Sequence, residues 1–207
     1  MRDTAIRRFR AMALAAALVG WSCVRPRIPA RLQVPVQALP AAVFVAATRA
    51  QLGLRPPRLW SGLRLGLVAA TVAVTGIAIA TKQPAVRASM AGRDLPARPV
   101  FWLALGIPVG TVWAEEAAFR AALGALAADA FGPSGGRLLQ AATFGLSHCV
   151  DARSAGEPVA GTVLVTGVAG WLFGWLAECS GSLAAPILTH LAINEAGAVA
   201  ALAVQAP

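Results

Sequence analysis

The chain has 207 residues, of which 57% are hydrophobic and only 13% are charged. Soluble domains carry about 25% charged residues, so this composition excludes an ordinary water-soluble globule and indicates a polytopic membrane protein. At about 20 apolar residues per spanning helix, the length allows at most about eight spans and no separate soluble domain. We therefore expect a single integral membrane domain over residues 1–207, embedded in the lipid bilayer.

The net charge of +9 is distributed unevenly along the chain. Residues 1–98 contain 15 of the 18 Lys and Arg residues, whereas residues 99–207 contain seven of the nine acidic residues. The basic residues lie between apolar runs, where positive charge meets anionic lipid headgroups, so we expect no nucleic-acid partner. Alternate loops carry eight and seven basic residues, so the positive-inside rule leaves the membrane orientation undecided.

The N-terminal segment allows two interpretations. Its basic start and apolar run of 14 residues have the layout of a signal peptide. No A-x-A cleavage site follows, and Gly20 stands where a lipobox ending at Cys23 would need Leu. We expect a first, short membrane helix here.

Apolar stretches separated by Arg, Pro and Gly clusters predict helices, because the alternation typical of a membrane barrel is absent. The fourth stretch has 32 residues and as one helix would reach about 48 Å, against an apolar core of about 30 Å. We therefore expect Pro108 and Gly110 to kink or divide it. The predicted fold class is all-α, a polytopic transmembrane bundle of seven or eight helices. The stretches are 11–24, 34–48, 65–81, 100–131, 138–150, 159–177 and 183–204.

Small and aromatic residues add two packing predictions. Glycines four residues apart let membrane helices approach closely, and aromatic residues near the end of the 159–177 stretch suit an interfacial belt. The glycine pairs are Gly62/Gly66, Gly106/Gly110 and Gly170/Gly174. The aromatic residues are Trp171, Phe173 and Trp175.

Polar residues interrupt three of the later helices, in the sequences TVWAEEAAFRAAL, ATFGLSHCV and ILTHLAINEAG. An ionisable group at membrane depth costs at least about 2.5 kcal/mol on insertion scales, so each needs a partner or a function. Spacing of i,i+4 places Glu116 with Arg120 on one helix face, while Glu115 points about 100° away. The same spacing pairs Phe144 with His148, and His190 with Asn194.

Two interpretations of these residues compete. In the structural one, Glu116 and Arg120 form an ion pair and the histidines bond neighbouring helices. The alternative is a buried acid–base site, which accounts for two glutamates, one cation, two histidines and an amide on separate apolar helices. We favour the buried site, because the set exceeds what helix association needs.

The order EExxxR, FxxxH and HxxxN resembles the CPBP family of CAAX prenyl endopeptidases and bacteriocin-processing (Abi) intramembrane proteases. The resemblance covers residues 99–204 as a catalytic core and leaves residues 1–98 as Arg-rich N-terminal helices. It implies an intramembrane endopeptidase of the glutamate type that acts on a membrane-associated peptide or protein. The 17 Arg to one Lys look bacterial, so we expect a multi-pass protein of the cell inner (plasma) membrane, with its substrate left open.

The resemblance also implies a role for each site residue. Glu115 with His148 would activate a water molecule, and His190 with Asn194 would stabilise the oxyanion. Arg120 would offset and orient the charge of Glu116.

Other chemistries remain as alternatives. Glu and His are zinc ligands, but there is no HExxH motif and Arg120 disfavours a dication, so we expect neither a metal nor a cofactor. A Cys149 nucleophile would need His190 as its base, and the sequence at 145–148 does not supply a rhomboid-type GxSG loop. Outside proteolysis, a proton-coupled transporter and a non-catalytic membrane scaffold or immunity protein are the alternatives.

Overall fold

The computed structural model describes residues 2–206, and within that range it is built from helices without strands. Seven helices are long, and two (α4 and α7) are short. The predicted all-α bundle is therefore confirmed. The helices are α1 (Arg2–Val24), α2 (Ala30–Thr48), α3 (Arg58–Ala80), α4 (Pro84–Ala91), α5 (99–123), α6 (Gly124–Ser147), α7 (Cys149–Ser154), α8 (Val159–Ser180) and α9 (Ala184–Gln205).

Four of these helices, α2, α3, α8 and α9, are long and apolar enough to cross a membrane. Helices α3 and α8 carry large apolar side chains on their outer surfaces, such as Val72 and Leu164, each 68% exposed. Apolar surface of this kind suits contact with lipid tails, because burial among other helices is not needed to keep it out of water.

Helix α5 lies at the centre of the bundle. It begins as an α-helix at Pro99–Phe101 and is wound as a π-helix over Trp102–Trp113 and again over Glu116–Leu123. All eight residues of the second π-helical stretch are buried. Helix α5 contacts α2, α6, α8 and α9, so residues on its different faces meet different neighbours.

Of the kink or division expected at Pro108 and Gly110, the division does not occur, because the chain stays helical through both residues. A proline lacks the N–H of a normal helical bond, and π-helical adjustment is one way in which a membrane helix accommodates it. The break lies instead in α6 at Gly132, with φ 75° and ψ 169°, directly before Pro133. A positive φ is readily adopted only by glycine.

Close helix contacts occur at the predicted glycines of α3 and α8. A Cβ atom added to Gly66 would lie 2.9 Å from the Cα atom of Ala185, so α3 and α9 pack backbone to backbone. A Cβ atom added to Gly170 would lie 2.9 Å from the Phe144 ring. The small residue at position 170 thus admits an aromatic ring between α6 and α8.

The bundle has two ends, which we name after an arginine at each. At the Arg58 end, the α2–α3 and α8–α9 connections meet through a bond from Leu183 N to Leu52 O of 2.8 Å. At the Arg25 end, Arg25 pairs with Asp151 and the Gln205 side chain donates to Met90 O over 2.8 Å. Both ends of the bundle carry several arginines, so the difference in positive charge between the two ends is small.

Candidate active site

Helix α5 places Glu115 and Glu116 at the junction between its two π-helical stretches. π-helical turns are rare and frequently mark functional sites. The two neighbouring carboxylates point to different surroundings. The Glu115 side chain is 16% exposed, whereas that of Glu116 is 0% exposed.

Glu116 is enclosed between a guanidinium and an imidazole. Its Oε2 atom lies 3.4 Å from Nε of Arg120, one helical turn along the same helix. Its Oε1 atom lies 2.8 Å from Nδ1 of His190 on α9. Because an ionised carboxylate only accepts hydrogen bonds, Nδ1 of His190 donates in this contact. We call Glu116, Arg120 and His190, together with the rings of Phe119, Phe144 and Phe173, the buried cluster.

Three phenylalanine rings surround the charges of the buried cluster. The Arg120 guanidinium lies 3.9 Å from the Phe144 ring centroid and 4.9 Å from that of Phe173. The Phe173 ring stacks on His190 at 4.9 Å with an angle of 23°, and Phe119 packs edge-on against Phe144 at 5.1 Å. Cation–π contacts in a desolvated setting offset part of the cost of burying a charge.

Phe173 was expected in an interfacial belt, and that prediction is wrong. Only 4% of the residue is exposed, while its neighbours in the predicted belt, Trp171 and Trp175, are 36% and 41% exposed. Residues two apart on a helix point about 200° apart. The sequence therefore contained a signal that Phe173 faces the opposite way from the two tryptophans.

His190 also approaches the second glutamate. Its Nε2 atom lies 3.8 Å from Oε2 of Glu115. The imidazole thus lies between the two carboxylates, bonded to Glu116 and near Glu115. With His190 protonated, two carboxylates would face two cations, and the group as a whole would be neutral.

Glu115 and His148 line one cavity of about 310 Å³. This volume lies at the lower end of small-ligand pockets. Its other walls are mainly apolar and come from α1, α2, α5 and α6, with Leu18, Phe44 and Phe119 among them. The first two helices of the chain therefore form part of this cavity.

His148 occupies the junction between α6 and α7, with backbone angles outside the helical region. Its Nδ1 atom donates to the carbonyl oxygen of Phe144 over 2.8 Å. That bond assigns the proton of a neutral imidazole to Nδ1 and leaves Nε2 as an acceptor. The FxxxH spacing thus gives His148 a fixed tautomer as well as a helical neighbour.

An ion pair that the sequence did not predict lies among the residues lining the cavity. Arg25, at the end of α1, pairs with Asp151 in α7, and both residues line the cavity together with Glu115. Arg25 was expected to meet lipid headgroups with the other loop arginines. Its partner is 126 residues away, so local sequence patterns carry no signal for the contact.

Asn194 lies away from this cavity. It lines another one of about 620 Å³ with Trp102 and Thr111. The structure therefore brings Glu115, Glu116, Arg120 and His190 into one connected set, and His148 lines the same cavity as Glu115. It does not bring Asn194 into the cavity that Glu115 lines.

Residues 2–206 contain no group of three or more His, Cys, Asp and Glu side chains arranged to hold a metal ion. Cys149 is half-buried and is not among the residues lining the Glu115 cavity in the described part of the chain.

The part of the chain that contains this arrangement matches a known protein family. The family described as Type II CAAX prenyl endopeptidase Rce1-like matches residues 97–196. This part of the chain is similar to that family. The Rce1-like segment contains all six residues of the predicted site, and the predicted resemblance to the CPBP family is confirmed. Together with the four apolar helices, it makes the chain a membrane protein. No curated protein and no solved structure matches the chain.

Proposed function

We propose that this protein is an intramembrane endopeptidase that hydrolyses a peptide bond of a membrane-associated protein or peptide. The observation that carries the proposal is the shared cavity of Glu115 and His148 within an Rce1-like segment. A carboxylate and an imidazole that line one cavity can together bind a water molecule and take its proton. The family match favours an endopeptidase over a proton-coupled transporter or a non-catalytic scaffold.

In the proposed reaction, Glu115 and the Nε2 atom of His148 hold the attacking water. Glu115 removes one proton as the water oxygen bonds to the substrate carbonyl carbon. That proton then passes to the amide nitrogen as the peptide bond breaks, which leaves one carboxylic acid, carrying the second proton of the water, and one free amine. Glu115 thus acts first as a base and then as an acid, and ends in its starting state.

The buried cluster keeps Glu115 in its working form. Arg120 balances the charge of Glu116, so Glu115 does not face an uncompensated neighbouring carboxylate. His190 contacts both glutamates and fixes their relative positions. Phe173 and Phe144 hold His190 and Arg120 by stacking.

His190 and Asn194 are the proposed oxyanion donors. Asn194 follows His190 by one helical turn on α9, which places the two on one helix face. Asn194 lines the neighbouring cavity, and the kinetics of Asn194→Ala test its part in catalysis.

The whole chain would work as one integral membrane domain, since α1 and α2 form walls of the cavity that Glu115 lines. Apolar walls around a catalytic carboxylate suit a peptide that reaches the cavity from the lipid phase. We place the protein in the cell inner (plasma) membrane as a multi-pass protein, with the bilayer and a membrane-associated substrate as its partners.

The test is cleavage of single-span peptides by the purified protein in proteoliposomes, read by mass spectrometry. We expect His148→Gln to lose at least about 10²-fold in rate, because the water loses one of its two holders. The matched control is Cys149→Ser, which changes the next residue and is expected to cleave normally. Equal cleavage by wild type and His148→Gln would overturn the proposal, and loss of cleavage in Cys149→Ser alone would point to a cysteine nucleophile.

A further inference from the structure

A further cavity, lined by polar residues, lies at the Arg58 end of the bundle. It lies on a different side of α5 from the Glu115 cavity. It has a volume of about 280 Å³ and lies between the α2–α3 connection, α5, α6 and α8. No residue lines both this cavity and the one containing Glu115. We call it the arginine cavity, because Arg58, Arg120 and Arg137 all line it.

Several donors around the arginine cavity lack an acceptor among residues 2–206. Gln140 is only 2% exposed, and its buried Nε2 atom has no hydrogen-bond partner. Both terminal guanidinium nitrogens of Arg120 and the Nε atom of Arg137 are also buried without a hydrogen bond, whereas Nε of Arg120 faces Oε2 of Glu116 at 3.4 Å. Leaving a buried donor unsatisfied costs about 1–3 kcal/mol, and more for charged groups. The residues around the arginine cavity therefore offer too few hydrogen-bond acceptors for these donors.

The charges of the lining residues, counted together with Glu116, leave an excess of one positive charge. Arg137 pairs with Glu178, which also lines the cavity. The charge of Arg120 is balanced by Glu116 from the other side. Arg58 has only a neutral partner, donating from a terminal nitrogen to Oε1 of Gln51 over 3.1 Å. A monoanion rich in acceptor oxygens would complete this set.

The position of the cavity points to the source of such an anion. Helix α8 ends at Ser180 and α3 begins at Arg58, so the cavity lies where the apolar spans end. This is the depth of the lipid headgroups. A phospholipid phosphodiester carries one negative charge and several acceptor oxygens, and the guanidinium fork matches phosphate geometry.

We infer that the arginine cavity is a phosphate-binding site that takes the headgroup phosphate of an anionic phospholipid. Arg58 provides the attraction at the exposed side, and the amide of Gln140 with the Arg137 side chain supplies donors within. The bound phosphate would lie behind Arg120 and so next to the ion pair that holds Glu116. This inference does not depend on proteolysis, because it concerns binding alone.

The experiment measures binding on the intact, purified protein in a neutral detergent. Phosphatidylglycerol, phosphatidylcholine and inorganic phosphate are each titrated while the melting temperature is followed, with chloride at equal ionic strength as the reference for phosphate. Native mass spectrometry counts the lipids retained. We expect phosphatidylglycerol to raise Tm saturably by about 2 °C or more, and phosphatidylcholine to have a smaller effect because it carries no net charge.

Three variants locate the effect. Arg58→Gln removes the unbalanced charge and should weaken the apparent affinity for phosphatidylglycerol about tenfold. Ala125→Leu fills the cavity without changing any charge and should weaken binding to a similar degree, since Ala125 lines it. The matched control is Arg55→Gln, an exposed arginine of the same connection that does not line the cavity, and it should bind as wild type does.

Each other outcome decides against part of the inference. Stabilisation by inorganic phosphate but not by phosphatidylglycerol, lost in Arg58→Gln, would assign the site to a free phosphate and overturn the lipid source. Equal stabilisation of all variants by phosphatidylglycerol would show general surface attraction and overturn the site. The absence of any phosphate or lipid effect would leave a water-filled cavity and overturn the inference entirely.

Discussion

The Glu115 cavity and the buried cluster give two adjacent glutamates different surroundings. Glu115 keeps part of its side chain exposed and shares its cavity with His148, whereas Glu116 is enclosed between Arg120 and His190. A carboxylate beside a cavity can exchange a proton with bound water. A carboxylate in a buried ion pair cannot lose its charge without leaving a buried cation unpaired. In the proposed mechanism, Glu115 carries the chemistry and Glu116 belongs to the supporting ion pair, so a substitution at either residue disturbs one of the two separately.

The largest effect is expected from Glu115→Gln. The amide keeps the size of the side chain but cannot accept the proton of the attacking water, so the cleavage rate should fall by about 10² to 10⁴-fold. Thermal stability in detergent should stay close to wild type, because Glu115 has one distant polar contact, at 3.8 Å. The control is Glu157→Gln at the Arg25 end, which pairs only with the exposed Arg93. Near-normal cleavage by Glu115→Gln would remove the catalytic assignment.

Arg120→Ala tests the other side of the comparison. It leaves Glu116 buried without its cation and should lower the free energy of unfolding by about 3–5 kcal/mol. The measurement is thermal denaturation in detergent against Arg7→Ala, which breaks the exposed pair with Asp129 at 3.3 Å and should cost at most about 1 kcal/mol. If Arg120→Ala were as stable as Arg7→Ala yet inactive, Arg120 would belong with the chemistry and not with the support.

Asn194→Ala tests whether the active site includes a residue outside the Glu115 cavity and the buried cluster. As an oxyanion donor, Asn194 matters mainly in the transition state, so kcat should fall by about 10² to 10³-fold with KM nearly unchanged. Thr111→Val is the matched control, because Thr111 lines the same cavity as Asn194. Equal kcat values for both variants and wild type would restrict the site to the residues around Glu115 and the buried cluster.

Much of the fold was predictable because membrane helices are specified locally. About 20 apolar residues suffice to define a span, and i,i+4 spacing sets which polar residues share a face. These rules gave the bundle and the pairing of Glu116 with Arg120. Gly132 and Pro133 form a dipeptide that marks turns, so the position of the helix break was readable as well. A division of the helix at Pro108 does not occur, because π-helical winding accommodates that proline.

The composition of the site was less predictable because it depends on contacts between distant segments. The sequence around Arg25 does not predict its ion pair with Asp151. The sequences of α1 and α2 do not predict that these helices line the cavity. Phe173 was assigned to the lipid interface because aromatic residues near a helix end usually lie there. Its spacing from Trp171 and Trp175 indicates a different helix face, but its burial depends on the position of α6 and α9 beside α8. Local patterns thus predicted individual side chains of the site, while its walls came from the tertiary fold.

The smallest effect is expected from metal removal. A catalytic zinc site needs three protein ligands with an open position, whereas Nδ1 of His190 already donates to Glu116, and Arg120 lies 3.4 Å from that carboxylate. A dication beside Glu116 would face the guanidinium across a short distance and be repelled. We therefore expect cleavage in proteoliposomes to be unchanged by EDTA, with zinc-loaded EDTA as the control. Loss of cleavage with EDTA and its stoichiometric recovery with zinc would replace the glutamate mechanism by a metal one, and would require the buried cluster to open.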